Sequence, residues 1–425
     1  MAQLKVGAGR ASIIFPQSMF PHEGFKGIHD DPQVKVVVIE SGERAAIVSA
    51  ELVNIFEDGI VLFKDLIAEK CGVKKENIWI HVTHAITTPH APKTRDEFPP
   101  HIAPPPHMLD ESGEKKKAWY DAVTAAFAAA CEQTAVLEDA TVGYGEGFSD
   151  VNTNRDVETP FGWWINLNPE GLSDKTLHLI RFDRGDGSPI ALMVNYALKP
   201  CAIDNSQMRE NERLISSDIP GLACRLAEGK LGAPCLFFMS AAGDQVPKDQ
   251  AFLEFVDADG KVQKDDRGVA YGLKIVEQYG PIFADDILRT AEKAAPCEGE
   301  FALRFSGSSF RWGAKGRAPM QPRRSAEYAA EREVEVGTEI ITLGKLALVA
   351  VKPEVNVITE QELQQASPFE TTLLFSMVNG GMKYMPDASS YERCTWESQS
   401  AMLMPGAAEK WVEVTADALR KLAEE

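Results

Sequence analysis

Cysteine is sparse in this chain. There are seven in 425 residues, at positions 71, 131, 201, 224, 235, 297 and 394, and no Cys-x-x-Cys pair occurs. That count argues against a disulfide framework and against paired-cysteine zinc motifs; reduced thiols in a cytoplasmic protein are expected. Long apolar runs are also missing. None approaches the roughly 18–20 residues of a membrane span, so no span is expected. The opening Met1-Ala2-Gln3-Leu4-Lys5-Val6 lacks the apolar core of a secretion signal. Positive charge is in deficit, with 44 Lys and Arg against 63 Asp and Glu and a net charge of −19. Sequence-independent binding to nucleic acid or to an anionic membrane needs the opposite field. The 44% hydrophobic and 25% charged residues that remain are ordinary for a soluble globular protein. A small-molecule substrate is the expected partner, and a homo-oligomer is compatible with these numbers.

Periodicity predicts an α/β protein, a mixed β-sheet core with helices on its faces. Val34–Glu40 and Arg44–Ala50 form a hairpin about Ser41-Gly42-Glu43. Gly59–Cys71 has a helical stripe that Gly72 stops, and Glu76–Thr83 follows as a strand. Thr87–Met108 holds seven prolines and reads as a long irregular loop. A helix is expected over Glu114–Ala135, then strands at Leu177–Phe182 and Ile190–Ala197. A helix at Pro220–Glu228, a strand at Cys235–Ser240 and a long helix at Tyr271–Ala295 come next. Beyond Pro296 the texture changes: a polar, basic stretch at Arg311–Arg332 precedes a hairpin about Leu343-Gly344-Lys345, and Ala407–Glu424 is the last helix. One large domain spanning 1–425 is expected, with a soft lobe boundary near 296. No internal repeat is visible.

All eight histidines lie before residue 180, and His84, His90, His101 and His107 crowd one strand end and its loop. Imidazole is the usual zinc ligand and the usual acid or base near neutral pH. The sequence has no His-Glu-x-x-His. Ser240–Pro247 runs a buried strand into Gly243-Asp244, and ligands of α/β sheets gather beyond carboxyl ends of strands. Asp244 there suits a metal, a donor to be oriented or a helix cap. Glu354, just past the apolar Leu346–Val351, needs a partner or a metal if it is buried. Lys352 and the start of a helix over Glu360–Gln365 are both candidates to receive it.

Several short segments, in order, resemble the amidase domain of the neutral, non-lysosomal ceramidase family. They include Val6–Ile13, His29-Asp30-Asp31-Pro32, Thr83-His84, Asn152-Thr153-Asn154-Arg155, Asn168–Gly171 and Asn195–Pro200. Leu214–Asp218, Cys235–Pro247 and Asn379–Pro386 with Tyr391 and Trp396-Glu397 complete the set. The resemblance implies that fold, without the family's C-terminal Ig-like extension. It also implies zinc, or another divalent metal, whose water attacks an amide. His84 matches the first histidine ligand and Glu354 the glutamate. Tyr391 matches the tyrosine, unless that place is Trp396. Arg155 matches a pocket arginine, and Asn154, His90 and Tyr384 are expected beside it to bind substrate, with Asp244 among the catalytic groups.

The second zinc histidine of the family is replaced by Lys199. Ile86 stands for the other histidine of its Thr-His-Thr-His element, and Val246 for the serine of Gly-Asp-Val-Ser-Pro. A protonated lysine is a poor metal ligand. The expected function is therefore a divergent hydrolase of a small polar amide or acyl compound rather than of ceramide. The alternatives are a metal-independent isomerase or lyase using Lys199 with His84, and a ligand-binding protein without catalysis.

Overall fold

A computed structural model describes residues 3–98, 108–297, 301–316 and 319–424; the expected histidines His101 and His107 lie outside the described residues. Three large sheets dominate, and each is built the same way. Three antiparallel strands are followed by a crossover helix, a fourth strand parallel to the third, and a second helix. In the first unit the strands are Lys5–Ser12, Gln33–Ser41, Glu43–Ala50 and, parallel, Ile78–Val82. In the second they are Thr141–Phe148, Thr176–Asp183, Pro189–Tyr196 and Cys235–Met239. In the third they are Leu303–Lys315, Ala330–Leu343, Leu346–Val351 and Thr371–Phe375. The crossover helices are Glu57–Cys71, Asp218–Leu231 and Val357–Ala366, each followed later by Glu114–Glu132, Tyr271–Lys293 or Ala407–Glu424. The repeat is one of topology, which is why the sequence did not display it.

Strand residues divide between two cores because successive side chains point to opposite faces. Val36 and Val38 pack outward with Phe63, Trp119 and Phe127 of the first helix pair. Val37, Ile39 and Trp79 point inward and meet Ile180 and Phe238 of the second sheet and Leu348 and Phe375 of the third. Sheets buried on both faces read as continuous apolar runs rather than as alternation. The central core is thus shared by all three units. The polar stretch Arg311–Arg332 contributes the ends of two long strands, Leu303–Lys315 and Ala330–Leu343, where Arg311, Ala330, Glu331 and Arg332 are exposed.

This arrangement gathers the strand ends. Val53, Lys199 and Glu354 each lie three residues past the third strand of their unit, and His84 lies two past the fourth strand of the first. His84 takes a left-handed backbone, φ 60°, as does Met377 at the matching place in the third unit. A non-glycine residue held there is strained, and such strain collects at functional sites.

Candidate active site

Glu354 and Tyr384 are neighbours because two short strands, Glu354–Val355 and Tyr384–Met385, pair in parallel with those residues in register. Lys199 reaches them from the second unit. Its ammonium lies 2.5 Å from Glu354 Oε2 and donates to the Tyr384 hydroxyl at 2.7 Å. All three side chains are buried. Burial opposes the charge on Lys199, but the Glu354 carboxylate and Tyr384 together raise the amine's pKa. Burial would likewise push Glu354 up; Lys199, and then His84, hold its carboxyl below the usual range. The pair is therefore ionised. Lys199 is matched to Glu354, not to Asp204 or Asp218, and Lys352 pairs instead with Glu57.

His84 stands on the other side of Glu354, with Nε2 3.5 Å from Oε1. Its Nδ1 is 2.6 Å from the carbonyl of Val53, so Nδ1 carries the proton and Nε2 presents a lone pair. Burial lowers its pKa, with Glu354 opposing, so the ring is neutral near pH 7.

Arg155 lies where the register of strand Asn152–Thr159 shifts against its neighbour Gly162–Asn168, opposite the two residues Asn166 and Leu167. A bulge of this kind re-aims a side chain. Here it sends the guanidinium to Glu397, with Nε 2.6 Å from Oε1, and under the rings of Trp396 and Tyr384, at 5.0 and 5.5 Å. Glu397 is in the first turn of the short helix Trp396–Ser400, capped by Thr395. Burial and then the neighbouring Glu397 charge raise Asp156 well above the carboxylate range, so Asp156 is the protonated member of that buried pair.

Not every expected residue faces the site. Tyr391 does not join Glu354: it lies on the helix Ala388–Arg393 and its hydroxyl donates to the carbonyl of Leu403 at 2.6 Å. Tyr384 stands where a tyrosine partner of Glu354 was expected, because its strand is in register with Glu354. Trp396 is nearby as an aromatic wall, edge-on to Tyr384. Asp244 and Asn154 sit behind Arg155 rather than in front of it. Asp244 accepts from Asn154 Nδ2 and from the backbone N–H of Val357, and its burial, with the Glu397 charge, pushes its carboxyl to about 7. His90 faces the site's outer part and is held by Glu23, its Nδ1 3.1 Å from Oε1. Glu397, Glu23 and Arg213 went unassigned in the sequence. Each acts through a partner distant along the chain, so no local pattern marks it.

Two cavities open from this cluster. The larger, about 610 Å³, has mostly apolar walls; the smaller, about 240 Å³, is lined by Arg155, Lys199, Gln250 and Glu254. His84, Ile86, Asn205, Tyr384 and Trp396 border both, so the reactive groups lie at the junction.

The solved structures settle the architecture. A ceramidase complexed with C2 superposes with a TM-score of 0.72 at 15% identity, over 100% of this chain and 76% of that one. Neutral ceramidase from Pseudomonas aeruginosa gives 0.74 at 17% identity, over 100% of this chain and 75% of that one. The fold is that of neutral ceramidase. Neither a family profile nor a curated protein sequence matches the chain, so the neutral-ceramidase likeness is one of fold.

The expected divalent metal can be tested against the donors. His84, Glu354 and Tyr384 do converge, but the ammonium of Lys199 occupies the space between Glu354 and Tyr384 at hydrogen-bond distance from both. A second cation there would meet a fixed positive charge a few ångströms away in a poorly screened interior. Among the described residues, no group of three His, Cys, Asp or Glu side chains is placed to hold a metal. The donor set does not fit a divalent ion.

Proposed function

We propose that the protein is a metal-independent hydrolase of small acyl amides, in which the Lys199 ammonium stands where a divalent cation would otherwise serve. Three features support this: the neutral-ceramidase fold, the neutral His84 facing the junction of the cavities, and above all the Lys199–Glu354–Tyr384 contact. His84 Nε2 takes a proton from water, and the resulting hydroxide attacks the acyl carbon. The oxyanion that forms accepts from the Tyr384 hydroxyl, which the Lys199 ammonium polarises by donating to its oxygen. As the tetrahedral centre collapses, the C–N bond breaks. The proton held on His84 passes to the departing nitrogen, giving a free acid and an amine. Glu354 keeps Lys199 charged and in place. A role for Lys199 as base or imine-forming nucleophile would need a neutral amine, and its raised pKa opposes that.

The test combines metal content with activity on a panel of chromogenic short-chain acyl anilides, in the purified, untagged protein. The expected result is sub-stoichiometric metal and turnover that survives chelation. Lys199→Met should lower kcat by about 10²–10³, the cost of an oxyanion donor, and His84→Ala by about 10²–10⁴. Stoichiometric zinc, with activity lost on chelation, would overturn the metal-independent part of the reading.

A further inference from the structure

Arg213 is a half-buried cation that lines the larger cavity, with no carboxylate within ion-pair distance among the described residues. It opens the three-residue strand Arg213–Ile215, which pairs in parallel with Phe25–Ile28 so that Arg213 and Phe25 are partners. The guanidinium lies 4.4 Å from the Phe25 ring centroid, and its Nη1 donates to the Glu23 carbonyl at 2.9 Å. Its Nε is buried and, among the described residues, has no hydrogen-bond partner. The carboxylate of Glu23 is turned to His90, which donates its backbone N–H to Oε2 and sets Nδ1 3.1 Å from Oε1. Asp204 is the other acid whose field reaches Arg213, and it borders the smaller cavity. An arginine anchored on paired strands, lining a cavity and with no carboxylate within ion-pair distance among the described residues, is poised for an anion.

Resting on the hydrolase reading above, we propose that the larger cavity receives an acyl chain that ends in a carboxylate bound by Arg213, so that the substrates are amides of dicarboxylic acids. Phe56, Val53, Met377 and Met382 line the same cavity and suit a methylene chain; methionines adapt to its length. A guanidinium takes a planar carboxylate through two parallel hydrogen bonds. A doubly charged phosphate fits less well, since Glu23 and Asp204 flank the same arginine. The polar smaller cavity is left for the amine.

The experiment compares 4-nitroanilides of glutaric acid (as the half-amide) and of butyric acid, and N-butyryl-β-alanine, which carries its carboxylate on the amine side. The expected result is a kcat/KM for the glutaryl anilide at least tenfold above that for the butyryl anilide, carried mainly by KM. Arg213→Met should reduce that ratio at least tenfold, and Arg213→Lys, which keeps the charge without the fork, by less. Equal rates for the two anilides in the natural protein would overturn the proposal, as would an Arg213-dependent preference for N-butyryl-β-alanine. If no amide is turned over, the hydrolase reading fails on its own. Calorimetry with glutarate then decides the subsite: binding that Arg213→Met abolishes upholds it, and no binding in the natural protein overturns it.

Discussion

Arg155 keeps its charge in a buried place because Glu397 lies against it, and neither residue is tolerable there alone. Glu397 is fully buried, and burial would raise its carboxyl; the guanidinium brings it below the usual range instead. Breaking such a pair from one side strands a charge and costs about 3–5 kcal/mol, whereas replacing both partners with apolar groups is often neutral. Glu397→Gln is therefore expected to lower the denaturant midpoint strongly, with much of the loss recovered in the double variant Arg155→Met, Glu397→Met. A single variant as stable as the natural protein would mean that the pair is not desolvated as described. At this scale the sequence was partly legible. His84 and Glu354 stood out because each follows an apolar strand, and Lys199 because it breaks the family pattern. The tyrosine beside Glu354 was sought at Tyr391 or the place of Trp396, with Tyr384 expected to bind substrate; only strand register, which a string does not display, sets Tyr384 next to Glu354. Asp244 and Asn154 were read as facing the site when they brace the arginine in front of them.

The helix Val357–Ala366 begins just beyond Glu354 and carries another buried acid, Glu360, which accepts from the backbone N–H of Ala241 at 3.1 Å. Burial, with the charge of Asp174 adding, pushes its carboxyl from 4.5 to about 8. The folded protein therefore keeps a proton that the unfolded chain has already released. That contribution to stability is full below pH 4.5 and is lost as the pH rises through about 8. Asp204, Asp218 and Asp244 are raised in the same direction, to about 6, 6 and 7. To isolate one of them, Tm should be followed from about pH 5 to pH 8 in the natural protein and in Glu360→Gln. The Tm of the variant is expected to gain on that of the natural protein as pH rises; parallel curves would show that Glu360 ionises normally. Elements themselves were well read from the sequence where periodicity is strong, as in the last helix, which spans Ala407–Glu424 as expected. Asn152–Thr159 went unread: it is polar, held by pairing with its neighbours rather than by an apolar face, and hydrophobic patterning does not see it.

Over the whole molecule, the three units share one central core, in which Trp79, Phe238 and Phe375 come from different sheets. None can keep its inner face covered alone. Unfolding is expected to be a single transition, with circular dichroism and tryptophan fluorescence superimposing, and separated transitions would show that the third unit holds together without the others. The repeat escaped the sequence because sheets with the same topology need only apolar runs of similar length, not similar residues. What the units do not share is the residue at each gathered strand end: a main-chain acceptor at Val53, a cation at Lys199 and an anion at Glu354. A cation supplied by the chain itself is made at translation, one per molecule. It does not exchange with its surroundings, and no competing ion can displace it. The catalyst proposed here would thus be complete as soon as it folds, whatever ions the cell has in supply, and only a mutation could take its positive charge away.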